Sequence, residues 1–143
     1  MHRGFAFPAV VVAFACAAGT PARADQLAGH DKILCTAVQA TFCVVDGDCE
    51  VGAPWSWNIP QFIEVDLIGK RLSTTKASGE NRSTPILNLS RAKGLIFLQG
   101  IEAGRAFSFV IEEETGMLSA AVAREGVTVG VFGACTPLGG TGQ

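Results

Sequence analysis

Within CVVDGDCEVG, residues 43 to 52, two cysteines bracket an Asp-Gly pair and three carboxylates share one short stretch. Three chemistries compete for such a cluster: a metal site, a redox dithiol, or a covalent staple across a turn. Asp46, Asp48 and Glu50 fit positions 1, 3 and 5 of a calcium loop, but Val51 stands where position 6 needs glycine and Trp57 where position 12 needs glutamate. Zinc is disfavoured because no cysteines have C-x2-C spacing and His30 is the single histidine after residue 24. A redox dithiol calls for close-spaced cysteines at a helix N-terminus, where the thiolate is stabilised; these two are instead crowded by carboxylates. A tight turn centred on Asp46-Gly47-Asp48, with Gly47 at positive φ, sets Cys43 opposite Cys49 on paired strands, near disulfide reach. The cluster therefore reads as a staple, and no metal or cofactor is expected.

Other residues point to binding more than to catalysis. Trp55 and Trp57 lie between Pro54 and Pro60. Exposed, they would form an aromatic platform for a sugar ring or another apolar ligand; buried, they would plug the end of a barrel. Gln99, Glu102 and Arg105 surround a hairpin tip, where the Glu–Arg pair makes a solvated salt bridge or the arginine meets a partner's carboxylate. Glu112, Glu113 and Glu114 run consecutively into a turn, unlike the converging pair of a glycosidase. No G-x-S-x-G is present, and a Ser-His-Asp arrangement would depend on His30. An enzyme working in a barrel mouth is the alternative these residues leave open.

The compartment sets how the cysteines are read. Residues 1–24 carry His2 and Arg3, an apolar run from Phe5 to Ala18, and Ala22-Arg23-Ala24 at the end, the pattern of a cleavable signal peptide. The run is too short to span a bilayer, and Ala13-Phe14-Ala15 is a poor setting for lipid attachment at Cys16. Cleavage leaves residues 25–143, or 143 − 24 = 119 residues, the size of one domain. Arg3 and Arg23 leave with the leader, so 9 basic residues face 13 acidic ones and the net charge is −4. No basic stripe is available for nucleic acid, and no later segment is apolar for long enough to cross a membrane. The expected location is the periplasm, and the expected partner a small molecule or an envelope protein. Four cysteines remain, Cys35, Cys43, Cys49 and Cys135, an even set in an exported chain. Three connectivities are possible. The turn around Gly47 favours Cys43–Cys49, which leaves Cys35–Cys135 to tie the first strand to the last.

The elements that must position these residues are strands. Ile68-Gly69-Lys70, Ala92-Lys93-Gly94, Glu102-Ala103-Gly104, Glu114-Thr115-Gly116 and Glu125-Gly126 read as turns, the last four about ten to twelve residues apart. Between them the period is two: Ile63, Val65 and Leu67; Phe107, Phe109 and Ile111; Val127, Val129 and Val131. Leu95-Ile96-Phe97-Leu98 is apolar on both faces, as in a central or covered strand. KASGENRS, residues 76–83, reads as a loop, and residues 138–143 as a loose tail. ILCTAVQATFCVV fits a strand with Leu34, Val38, Phe42 and Val44 on one side, or a short helix with Leu34, Val38 and Phe42 aligned. The sum is an all-β domain over residues 25–143: a small antiparallel up-and-down barrel, or a curved meander sheet, of seven or eight strands with disulfide staples.

IPQFIEVDLIGKRL, RSTPILNLSR, GLIFLQGIEAGRAFSFVI, the ETG turn and VFGACTP together resemble a group of short exported proteobacterial proteins without assigned function. That resemblance covers most of the chain after residue 24 and implies one exported domain. Ala77-Ser78-Gly79 and QGIEAGRA are also similar to elements of the periplasmic inhibitors of c-type lysozyme. That similarity implies a β-barrel, a disulfide between N- and C-terminal segments, and Ser78 as the residue entering the enzyme's cleft. The tyrosine usual after the Ser-Gly is absent, and the chain contains none. The function expected from all of this is a secreted binding or envelope-accessory role, with lysozyme inhibition as the alternative.

Overall fold

The computed structural model describes residues 26–78 and 81–139; the leader read at 1–24 and the end of the tail lie outside them. Ten strands form: β1 Lys32–Val44, β2 Cys49–Gly52, β3 Phe62–Asp66, β4 Arg71–Thr74, β5 Ser83–Pro85, β6 Asn88–Ala92, β7 Leu95–Glu102, β8 Arg105–Glu112, β9 Met117–Arg124 and β10 Val127–Pro137. They pair antiparallel in the order β5-β4-β3-β1-β10-β9-β8-β7-β6, with β2 added beside β1. The chain is all-β, and the sheet curls into a half-barrel whose first and last strands lie side by side.

Ten strands occupy fewer positions than their number suggests. β2 and β3 share one edge of β1, at residues 40–43 and 32–36, while β10 takes the other edge. β5 and β6 are separated only by Ile86 and Leu87. The Ile86 N–H donates to the Lys70 carbonyl beside β4 (2.8 Å), and the Leu87 N–H donates to the Gln99 carbonyl on β7 (2.9 Å). Residues 83–92 therefore act as one bent strand that meets both edges of the curl. Merging β2 with β3 and β5 with β6 takes the ten strands to 10 − 2 = 8 positions, in line with the turn spacing.

Local chemistry explains the hairpins. Lys93-Gly94 (φ 54° and 75°) and Ala103-Gly104 (φ 46° and 76°) are two-residue turns with both φ values positive, the form whose twist matches the flanking strands. The inward faces of β3, β8 and β10 carry Val65, Phe107, Phe109, Ile111, Val129 and Val131, all buried, so the period-two reading holds there. On β7, Ile96 and Leu98 are wholly buried while Leu95 and Phe97 are half-buried on the other face.

β1 departs from the expected facing, although it is a strand and not a helix. Ile33, Cys35 and Ala37 point inward, Val38 is 64% exposed, and Ala40 is again inward. The cause is a β-bulge: Ala37 pairs with Gly133 and Gln39 with Phe132, so Val38 is left over and the inward set changes from odd to even positions. Leu34 and Val38 therefore do not share a face with Phe42. Gly133 is required at this point, because a Cβ there would collide with the Thr36 carbonyl. The bulged Ala37 N–H is not orphaned; it donates to the Gln61 carbonyl (2.9 Å).

Both disulfides are formed as the turn and meander arguments favoured. Cys35 and Cys135 are directly opposed on β1 and β10, with Cα atoms 4.0 Å apart, and close a span of 100 residues. Cys43 and Cys49 are opposed on β1 and β2, 4.2 Å apart, six residues along the chain. One detail of that turn is corrected. Asp46, not Gly47, takes the positive φ (60°), a conformation that Asp tolerates better than most side chains. Gly47 answers to space instead, since a Cβ there would lie 2.5 Å from a Val44 methyl.

Candidate functional site

The curl has one filled end and one open end. At the filled end Leu27 is completely buried with Ile33, Val65, Ile96, Leu98 and Ile111, and its N–H donates to the Glu113 carbonyl (2.7 Å). This short segment ahead of β1 carries no strand signal, which is why pattern reading passed it over.

Toward the other end the inner face lines a cavity of ≈ 100 Å³. Its walls are apolar: Ile63, Leu72, Phe107, Phe109, Leu118 and Val122. Polar side chains gather at its rim, chiefly Asn58, Arg82, Glu102 and Arg105. Apolar walls with a few convergent polar groups are the usual make-up of a small-molecule site.

Among the described residues the rim is organised around the Glu102 carboxylate. A Glu102 oxygen lies 3.7 Å from the Arg105 guanidinium and 3.9 Å from that of Arg82. Glu102 and Arg105 flank the Ala103-Gly104 turn, so the rigid hairpin fixes their approach. Arg82 also donates to the Asn58 carbonyl (3.0 Å), which ties the segment after Ser78 to the end of the tryptophan-bearing turn. The Glu102–Arg105 pair read from sequence is present. Its recruitment of Arg82 was not legible, because no local spacing relates residues 82 and 102.

The two tryptophans separate. Pro54–Trp57 is a 3-10 turn that Pro54 can begin because its missing N–H is not needed there. Asn58 ends it in the left-handed region (φ 57°). Trp55 is 59% exposed. Trp57 turns inward and stacks on Phe42, ring centroids 5.5 Å apart and planes 9° from parallel. It passes so close to Gly52 that a Cβ there would lie 3.0 Å from the indole. Trp55 and Trp57 thus do not form a joint platform. Trp57 and Phe42 instead line a second hollow, with Asn58, Ile59, Arg105, Val122 and Arg124 around it. The two hollows share Asn58, Ile59, Arg105 and Val122, so Arg105 stands where they meet.

The remaining candidates lie elsewhere. The Ser78 hydroxyl donates to the Phe62 carbonyl (3.1 Å), accepts from the Phe62 N–H (3.3 Å), and lies 3.2 Å from the Thr75 hydroxyl. Two of the three glutamates have separate partners: Glu112 accepts from the Thr115 hydroxyl (2.6 Å), and Glu113 pairs with Arg91 (3.2 Å). Among the described residues no cluster of metal-ligating side chains occurs and no helix is long and apolar enough to cross a membrane. Comparison of the chain with protein-family models, curated proteins and solved structures found no match.

Proposed function

We propose that this chain is an exported, non-catalytic binding protein of the periplasm that takes a small molecule into the open end of its curled sheet. The observation that carries the reading is the apolar cavity between Phe107, Phe109, Leu118 and Leu72, open at a rim of charged side chains while Leu27 fills the opposite end. The leader pattern of residues 1–24 and two disulfides in one small domain support export. The test is mass spectrometry of the protein expressed with its leader and purified from the periplasm without reductant. The expected product begins at Asp25, is lighter by the four hydrogens of two disulfides, and carries a small molecule in the native spectrum. An empty protein that also fails to take up apolar probes would remove the reading.

A second reading is supported by the disulfide that joins the first and last strands, a feature that similarity to the c-type lysozyme inhibitors implies. In that reading Ser78 enters the enzyme's cleft, and its hydroxyl must first leave Phe62. Inhibition of a c-type lysozyme that Ser78→Trp abolishes is the outcome this reading requires.

A further inference from the structure

The charges around the junction of the two hollows specify the ligand more narrowly. We infer that the site takes an amphiphile with a single carboxylate head, its apolar tail inside the curl and its head between Arg105 and Arg124. This rests on the binding reading above and adds the chemical class to it.

Register brings the two arginines together. β8 and β9 pair through Ala106–Ala123, Phe107–Val122 and onward, so Arg105 and Arg124 continue the same ladder by one rung. The alternation that points Phe107, Phe109, Leu118 and Val122 into the cavity points Arg105 and Arg124 to the same inner side. Like charges facing each other across two strands repel. Among the described residues the hollow they share is lined otherwise by Phe42, Trp57, Asn58, Ile59 and three valines, without a carboxylate.

Arg105 is also short of acceptors. Among the described residues the carboxylate it pairs with is Glu102 at 3.7 Å, beyond hydrogen-bonding distance and shared with Arg82, and its side chain is only 29% exposed. A guanidinium presents a planar fork of five N–H donors that matches a carboxylate in bidentate fashion. An anionic head at this point would satisfy that fork and relieve the repulsion between the arginines. The tail runs through the hollow of ≈ 250 Å³ and the adjoining cavity of ≈ 100 Å³, along the inner row of β8 from Arg105 to Phe109, about 13 Å of strand. Ile111 and Leu27, both completely buried, lie beyond Phe109 and bound how deep a tail can reach.

Isothermal titration calorimetry of the oxidised protein with decanoate, decan-1-ol and decyl phosphate tests this, each ligand below its micellar concentration. Decanoate is expected to bind roughly tenfold or more tightly than the alcohol, the scale of a charge-assisted hydrogen bond. Arg105→Gln and, separately, Arg124→Gln should remove that advantage, bringing decanoate down to the affinity the same variant shows for decan-1-ol. An unchanged urea-unfolding midpoint shows that each variant is folded, and the exposed Arg124 keeps the test decisive should Arg105→Gln disturb the hairpin. Equal binding of acid and alcohol, or an advantage that survives both substitutions, overturns the carboxylate assignment and leaves the binding reading intact. Binding of decyl phosphate but not decanoate also overturns it. If none of the three binds, this inference fails, and the binding reading is decided by the native mass spectrum.

Discussion

The two ends of the curled sheet are built to different standards. The filled end concentrates fully buried side chains, Leu27, Ile33, Val65, Ile96, Leu98 and Ile111, around a disulfide whose cysteines are 1% and 3% exposed. The open end is a narrower extension: the last residues of β1, the short β2 and the start of β10. It has a smaller core of Ala37, Ala40, Val129 and Val131, a half-buried Phe42–Trp57 stack, and a disulfide at the surface. The same two strands, β1 and β10, run through both ends. The bulge at Val38 marks the change, because it turns β1's other face inward just where the packing thins. Stability is thus drawn chiefly from the filled end, which leaves the open end free to keep a hollow bordered by charged side chains.

The sharpest test of this contrast is the pair of disulfides. Replacing Cys35 and Cys135 together by alanine removes a link across 100 residues and should cost about 5 kcal/mol by chain entropy, read from urea unfolding. Leu27→Ala comes next. It empties a completely buried site and should cost about 2–5 kcal/mol in the same measurement. Replacing Cys43 and Cys49 by alanine opens a loop of only six residues and should cost about 2 kcal/mol. If that loss equalled the loss from the buried disulfide, the difference between the two ends would disappear.

The smallest expected effect lies at the β3–β4 turn. There the Gly69 N–H donates to Asp66 Oδ1 (2.7 Å) and Lys32 lies 3.5 Å from the other oxygen. The Gly69 hydrogen bond, with Lys32 behind it, holds the Asp66 carboxyl below its ordinary value of 3.8. A carboxyl lowered in the folded state adds stability above its unfolded pKa and loses it as pH falls through the folded one. Asp66→Asn should therefore be slightly less stable than the parent at neutral pH, and the gap should close in acid, below about pH 3.8. A gap that stays constant in urea unfolding across that range would mean the carboxylate's charge contributes nothing.

Much of the fold was legible because its signals are local. The Lys93-Gly94 and Ala103-Gly104 turns follow from what two residues can adopt, and β8 follows from alternating Phe107, Phe109 and Ile111 with smaller or polar neighbours. The Cys43–Cys49 pairing needs only a turn, and Cys35–Cys135 follows once the meander is sequential. The site was less legible. Arg105 and Trp57 stood out as residue types, but Trp57's partner Phe42 and Arg105's neighbours Arg82 and Arg124 come from distant parts of the chain. Trp55 gave the same signal as Trp57 and ended on the surface, because a 3-10 turn directs residues two apart to different sides.

The sequence by itself determined an all-β meander and the positions of its hairpins, and it favoured the cysteine pairing that the structure shows. Each of these depends on backbone preferences over a few residues or on strand order. Tertiary structure decided the bulge at Val38, the bent segment of residues 83–92 that meets both sheet edges, the burial of Leu27 and the placing of Arg105 and Arg124 on one hollow. Each of these is set by register between segments far apart in the chain. A one-residue change of register exchanges the inside of a sheet for the outside, and no local pattern carries that information.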